Sequence, residues 1–273
     1  MGLSKLKEPN HLNLVERYFD QHAQSWQGYY QAKTGITEAI LIERKDLAVG
    51  YLQDRLAPGA KILDAGCGAG ITAVELARRG FRVEGIDISE NMIRLSRENL
   101  AGSGLNPETC SFRIGDILSD PIAPGQFDAV VALGFLQYQA DELASLGRMY
   151  EVLKPGGLLI LSGPVKIKIS NYFGLLDLLR RMLRRKRAGR EDLLHRISIN
   201  YYSPRRFKLL LTASGFQFHS YRGHGFIHFE IISRKIGFGG QLLLHRLFTA
   251  LARVLPLQRF ANDMVVVAVR PAT

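Results

Sequence analysis

Three acids and a run of alternating glycines are the residues of this chain best placed to do chemistry. "LDAGCGAG" (63–70) sets Asp64 just ahead of Gly66, Gly68 and Gly70, "GIDIS" (85–89) carries Asp87, and "RIGDI" (113–117) carries Asp116. A glycine turn lets backbone N–H groups approach a ligand that a Cβ would keep away. An acid about 20 residues further on, at the end of the next strand, can accept hydrogen bonds from ribose hydroxyls. The pattern therefore points to a nucleoside-containing cofactor. A carboxylate at position 64 would repel a pyrophosphate, but it can receive the ammonium of an amino acid, directly or through water. That argues against a nicotinamide dinucleotide.

These residues need strand ends to hold them, and the surrounding sequence supplies the pattern. Apolar runs at "KILD" (61–64), "RVEGID" (82–87), "SFRIGD" (111–116), "FDAVVAL" (127–133) and "GLLILSG" (157–163) alternate with helical segments. Ser89 suits the cap of the helix after the second run, and Gly80 the end of the helix before it. "LKPGG" (153–157) reads as a tight turn into the fifth strand. "SPRRFKLLLTASGF" (203–216) reads as a helix capped by Ser203, opened by Pro204 and closed by Gly215. "FQFHSYR" and "MVVVAVR" complete seven strands. Repeated strand–helix units imply a parallel sheet covered on both faces. Segments 164–202 and 223–263 fall outside this scheme, and about 50 residues precede the first strand.

Composition narrows the function classes. The 273 residues are 47% apolar and 22% charged, globular values, and no apolar run approaches the roughly 20 residues of a membrane span. The N-terminal "MGLSKLKEPN" lacks the apolar core of a secretory signal, and Cys67 and Cys110 are too few for a disulfide framework. A cytoplasmic setting is expected. Of the net charge of +11, +7 lies between residues 166 and 196, where ten Lys or Arg face three acids. A concentration of this kind describes a local surface. No aromatic–basic platform and no nucleic-acid-binding module accompanies it, so nucleic acid is not the expected partner.

In order and at these spacings, "LDAGCGAG", "GIDIS", "GD", "FDAVVAL" and "LKPGG" resemble the core motifs of class I S-adenosylmethionine-dependent methyltransferases, of the bacterial small-molecule O-methyltransferase type. The resemblance covers about residues 60–163. It implies a doubly wound α/β fold: a mostly parallel, seven-stranded Rossmann-like sheet with helical lid insertions. Within a single domain it implies an N-terminal helical cap (1–56), a cofactor core (57–163), a basic amphipathic lid insertion (164–202) and a C-terminal part (203–273) with a helical insertion at about 223–263. S-adenosyl-L-methionine is the cofactor implied. Asp64, Gly66 and Gly68 then surround its methionine moiety, Asp87 its ribose with Ile88 beside the adenine, Asp116 the adenine amino group with Ile117 in support, and Leu133 and Gly134 line the methyl-donor pocket. Many relatives carry a histidine after the fourth strand; Gln137 stands there instead, followed by Tyr138, so no general base transfers to that position.

The acceptor is addressed only by the insertions. Ligands of parallel sheets sit at the carboxyl ends of the strands, and both insertions leave from that end. "YFGLLDLLRRMLRRKR" (172–187) puts Leu175, Leu179 and Met182 on one helical face and Arg180, Arg181, Arg184, Arg185 and Arg187 on the other. Such a helix suits an anionic membrane surface, a phosphate-bearing substrate, or plain core packing with a solvated face. "GQLLLHRLFTALARVLP" (240–256) is also amphipathic and reads as core packing. Candidate bases are Tyr138, His195, His224 and His228; the histidines of "RGHGFIHFE" lack a third ligand, and no metal is expected. The aromatics of 17–31 either pack a helix or face a sulfonium, and the stretch resembles the N-terminal helix of quinone and magnesium-protoporphyrin O-methyltransferases. The reading reached is methyl transfer to oxygen of a small-molecule or lipid-linked acceptor by a cytoplasmic protein, either soluble or peripheral on the inner face of the cell membrane. A non-catalytic cofactor-binding or scaffold subunit, and an RNA or protein methyltransferase, stand as alternatives.

Overall fold

The computed structural model describes residues 11–31, 35–166, 196–226, 230–254 and 257–272. The basic stretch 172–187, His195 and His228 lie outside the described residues. Two helices, α1 (His11–Gln31) and α2 (Ile36–Gln53), precede the sheet. There follow β1 (Lys61–Ala65), α3 (Ile71–Arg78), β2 (Arg82–Asp87), α4 (Glu90–Ala101), β3 (Cys110–Ile114), β4 (Phe127–Ala132), α5 (Glu142–Val152) and β5 (Leu153–Pro164). The C-terminal part adds α6 (Pro204–Ala213), β6 (Gln217–His224), α7 (Glu230–Val254) and β7 (Asp263–Val269).

The seven strands form one sheet in the order β3-β2-β1-β4-β5-β7-β6. The first five are mutually parallel, and β7 runs antiparallel between β5 and β6. The apolar runs are continuous because both faces are covered. Leu63, Val130 and Leu159 join Leu146, Met149, Phe207 and Leu211 of α5 and α6 on one side. Ile62, Val131 and Ile160 join Leu52, Leu76 and Ile93 of α2, α3 and α4 on the other.

Local signals act where the sequence places them. The Ser89 hydroxyl accepts from Met92 N–H at 3.1 Å, and the Ser203 hydroxyl from Arg206 N–H at 3.2 Å, so each satisfies an otherwise orphaned donor of its helix. "LKPGG" lies within the bounds of β5, yet Lys154 to Gly157 leave the ladder with β4: Leu153 pairs with Phe127 and Leu158 with Ala129, and Gly156 turns the chain between them at φ 78°. Helix α2 carries weak apolar periodicity, which is why the sequence pattern passes over it; it buries Ile40, Leu41, Arg44, Ala48, Val49 and Leu52.

Candidate active site

The strand topology reverses beside β1, where β4 lies on one side and β2 on the other. Ligands of open α/β sheets bind at such a switch point, and a cleft opens there. All nine residues singled out as cofactor ligands (Asp64, Gly66, Gly68, Asp87, Ile88, Asp116, Ile117, Leu133 and Gly134) line it, together with Tyr138.

The floor is the turn after β1. Gly66 and Gly68 hold φ of 70° and 52°, the left-handed region open to glycine at little cost. A Cβ on Gly66 would meet the Phe135 ring at 2.6 Å, so bare backbone is needed there on steric grounds as well. Asp87 stitches the turn to β2: its carboxylate accepts from Gly68 N–H at 2.9 Å and from Ser89 N–H at 3.0 Å. Each of its oxygens keeps a further lone pair for a ligand hydroxyl. Asp116 lies just past β3, where its Oδ1 accepts from Leu118 N–H at 3.1 Å.

Asp64 is the most perturbed acid of the cleft. It is buried, and its Oδ2 has no partner. Burial, with the Asp87 charge close by, pushes its pKa up to about 7, while Arg44 and a backbone bond from Ala73 pull the other way. Burial also raises Asp87. Cys67 is pushed well above its usual range by burial and by the Asp87 and Asp64 charges, so its thiol stays protonated and unreactive.

Arg44 is the functional candidate that the sequence reading missed. It reaches the cleft from α2, buried, with Nη2 donating to the Tyr30 hydroxyl at 2.7 Å and Nη1 3.7 Å from Asp263 Oδ2. Its Nε lacks a partner, and a Cβ on Gly134 would stand 3.0 Å from its Nη1. The sequence offers little signal for it: Arg44 is one of four consecutive charged residues, Glu43 to Asp46, in "AILIERKDLAVGYL" (39–52), and nothing in the pattern says which of them turns inward. Asp64 and Arg44 thus present opposite charges, each with an orphaned buried atom, at one end of the cleft. A zwitterionic amino acid moiety fits that pair, and the bare Gly66 backbone fits its close approach.

The roof is α1. Leu12, Val15, Phe19 and Trp26 face the cleft. Asp20 fixes the helix in place: its Oδ1 accepts from Ser89 Oγ and Asn91 N–H, both at 2.9 Å, and its Oδ2 from Asn91 Nδ2 at 3.0 Å. It therefore sets a negative charge on the N-terminus of α4, where the helix dipole favours one. Gln27 donates to Asn99, which donates in turn to the Ala69 carbonyl of the glycine turn. His11 Nε2 donates to the Tyr138 carbonyl at 2.8 Å.

His224 requires a correction as a candidate base. It ends β6, pairs in register with Asp263, is completely buried and does not line the cleft. Four strand steps separate β6 from β1, about 19 Å at about 4.8 Å per step, and the sequence contains no record of that order. Its Nε2 lies 3.9 Å from Asp263 Oδ2, so it stands behind Arg44 rather than before a substrate. Burial lowers its pKa despite the attraction of Asp263. Tyr138 does line the cleft, but burial raises its phenol, which makes it a hydrogen-bond donor and a poor base at neutral pH. Among the described residues no group of three or more His, Cys, Asp or Glu could hold a metal ion.

Comparison with known proteins agrees with this architecture. Residues 62–157 match the family model described as a Methyltransferase domain. The chain is 38% identical over 135 residues to magnesium-protoporphyrin O-methyltransferase of Rhodobacter capsulatus, a match that covers 46% of this chain and 57% of that one. It is 34% identical over 113 residues to ubiquinone biosynthesis O-methyltransferase of Xanthomonas campestris pv. campestris (strain B100), covering 41% of this chain and 46% of that one. The match thus spans about half the length of these curated relatives. Among solved structures, magnesium protoporphyrin IX methyltransferase of Synechocystis PCC 6803 with bound S-adenosylhomocysteine superposes with a TM-score of 0.65 at 19% identity, covering 95% of this chain and 99% of that one. At that identity the superposition speaks for the fold.

Proposed function

We propose that this chain, whose residues 62–157 match the methyltransferase domain model, binds S-adenosyl-L-methionine and transfers its methyl group to oxygen of a small-molecule or lipid-linked acceptor. The observation that carries this reading is the cleft itself. It joins a polar floor suited to a nucleoside and an amino acid (Asp64, Asp87, Asp116, Arg44) to an apolar roof from α1. The names of the two curated relatives, both O-methyltransferases of small molecules, support the acceptor class.

When bound, the cofactor supplies a methyl group already activated on a sulfonium. The chain supplies position and environment. Asp64 receives the ammonium of the methionine end and Arg44 its carboxylate, so two desolvated charges gain partners together. Asp87 accepts from the ribose hydroxyls, with Ile88 beside the adenine; Asp116 accepts from the adenine amino group, with Ile117 behind it; Gly66, Gly68, Leu133 and Gly134 leave room for the methionine chain. The rings of Phe19 and Trp26 offer π faces to a cation, worth roughly 0.5–2 kcal/mol. Holding both reactants in line removes about 7–11 kcal/mol of the barrier, and Tyr138 orients an acceptor oxygen by donating to it. An acceptor carboxylate needs no base.

The finer reading places the protein in the cytoplasm and in peripheral contact with an anionic membrane through 172–187. It rests on the residue pattern of that stretch. The test uses donor labelled on its transferable methyl, purified protein and an extract from cells lacking the gene. Label in the small-molecule or lipid fraction is expected. Label confined to RNA or protein would overturn the proposal, and tight donor binding with no label in any fraction would leave the protein a cofactor-binding subunit.

A further inference from the structure

We propose that the outer face of α7 is a docking surface for an anionic lipid bilayer. Ten large apolar residues stand exposed among the described residues, and most are scattered singly, which needs no explanation. Three are not scattered. Leu243, Leu247 and Leu251, exposed by 69%, 52% and 40%, recur every fourth residue of one helix. Residues so spaced share a face. Arg246 and Ala250, both exposed, complete it.

The opposite face shows which way the helix is turned. His245 is buried with Nε2 bonded to Glu43 Oε2 of α2 at 2.9 Å. Leu244 and Phe248 pack on the cluster of Phe226, Ala252 and Ala261. The helix has therefore satisfied its core-facing stripe and carries a second apolar stripe beyond it. The expectation that this segment is amphipathic through core packing accounts for the inner stripe alone.

Charge identifies the occupant. From 231 to 262 the sequence carries Arg234, Lys235, Arg246, Arg253 and Arg259 and no Asp or Glu. Leucines flanked by cations on a helix are the chemistry of an interfacial helix lying on acidic headgroups. Arg246 on this face, set against its counterpart in a second copy, would bring like charges together, so a self-association surface fits less well. The proposal stands on α7 alone, and holds whatever the acceptor is and whatever 172–187 does.

The experiment is co-sedimentation of the full chain with vesicles of phosphatidylcholine, alone or with phosphatidylglycerol at three parts in ten. Binding is expected to the anionic vesicles and to be weak on the neutral ones. Leu243→Ser/Leu247→Ser/Leu251→Ser is expected to lower it by at least about tenfold, and Arg246→Gln by about fivefold. Circular dichroism and S-adenosylhomocysteine binding should be unchanged in both, since neither touches the cleft. A companion variant replaces Arg180, Arg181, Arg184, Arg185 and Arg187 by Gln. If it abolishes binding while the leucine variant binds as the parent does, the proposal falls. It falls equally if the parent binds neither vesicle, or if the leucine substitutions convert a dimer to a monomer in sedimentation velocity.

Discussion

Asp64→Asn separates two consequences of one buried carboxylate. Its pKa of about 7, against 3.8 for an ordinary aspartate, means that ionising it costs about 4 kcal/mol more in the folded chain than in the unfolded one. The sign follows from proton counting: between the two values the folded state holds the proton and the unfolded state does not. Stability therefore falls as pH rises from about 4 to about 7, and stays low above that range. An asparagine keeps the bond from Ala73 and removes the charge. It leaves an amide without a partner where Oδ2 was, at about 1–3 kcal/mol. Above pH 7 the variant without ligand is expected to be more stable than the parent by roughly 1–3 kcal/mol, with little gain at pH 4. Ligand binding should move the opposite way. If the ionised form receives an ammonium, affinity tracks the ionised fraction in the free protein, about 0.09 at pH 6 and 0.91 at pH 8. S-adenosylhomocysteine should bind the parent about tenfold more tightly at pH 8 than at pH 6, and the variant weakly and without that slope. Calorimetric titration at the two values, beside urea unfolding of the ligand-free proteins, measures both. Parent affinity that is flat across this range, or an asparagine variant that binds as tightly as the parent, would refute the assignment.

Three further outcomes are expected. Arg44→Lys cannot serve both Tyr30 and Asp263, because an ammonium lacks the planar fork; binding of S-adenosylhomocysteine should weaken about tenfold, whereas 5′-methylthioadenosine, which has no amino acid end, should bind as before. Gly66→Ala puts a Cβ at 2.6 Å from the Phe135 ring on a backbone with φ of 70°, so titration should detect no S-adenosylhomocysteine binding and unfolding should occur at least about 1 kcal/mol sooner. Asp20→Ala removes the bonds that tie α1 to the start of α4. It should cost about 1–2 kcal/mol in urea unfolding and speed amide exchange in α1 more than in α3.

Much of the cleft's floor was legible in the sequence because it is local. Asp64, Gly66 and Gly68 lie at one strand end and its turn, Asp87 ends the next strand and Asp116 lies just past the third, so spacing along the chain stands in for distance in space. The caps at Ser89 and Ser203 are legible for the same reason: a hydroxyl reaching an N–H three residues on needs no tertiary contact. "LKPGG" is legible in the same way: Pro and Gly turn the chain, with Gly156 at φ 78°, between the two residues of β5 that pair with Phe127 and Ala129.

Arg44, His224 and the outer face of α7 mark the other limit. An arginine among four consecutive charged residues and a histidine after a strand carry no spacing that tells which end of a sheet they meet. Only the strand order, with β7 inserted between β5 and β6, sets His224 behind Asp263 and Arg44 in front of it. Likewise "LLLHRLFTALA" presents two apolar stripes to a helical wheel, and the bond between His245 and Glu43 decides which one turns inward. What the sequence alone determined here is the chemistry of contiguous turns and strand ends. The tertiary structure decided which distant charges share a desolvated site, because that depends on partners some 200 residues apart along the chain.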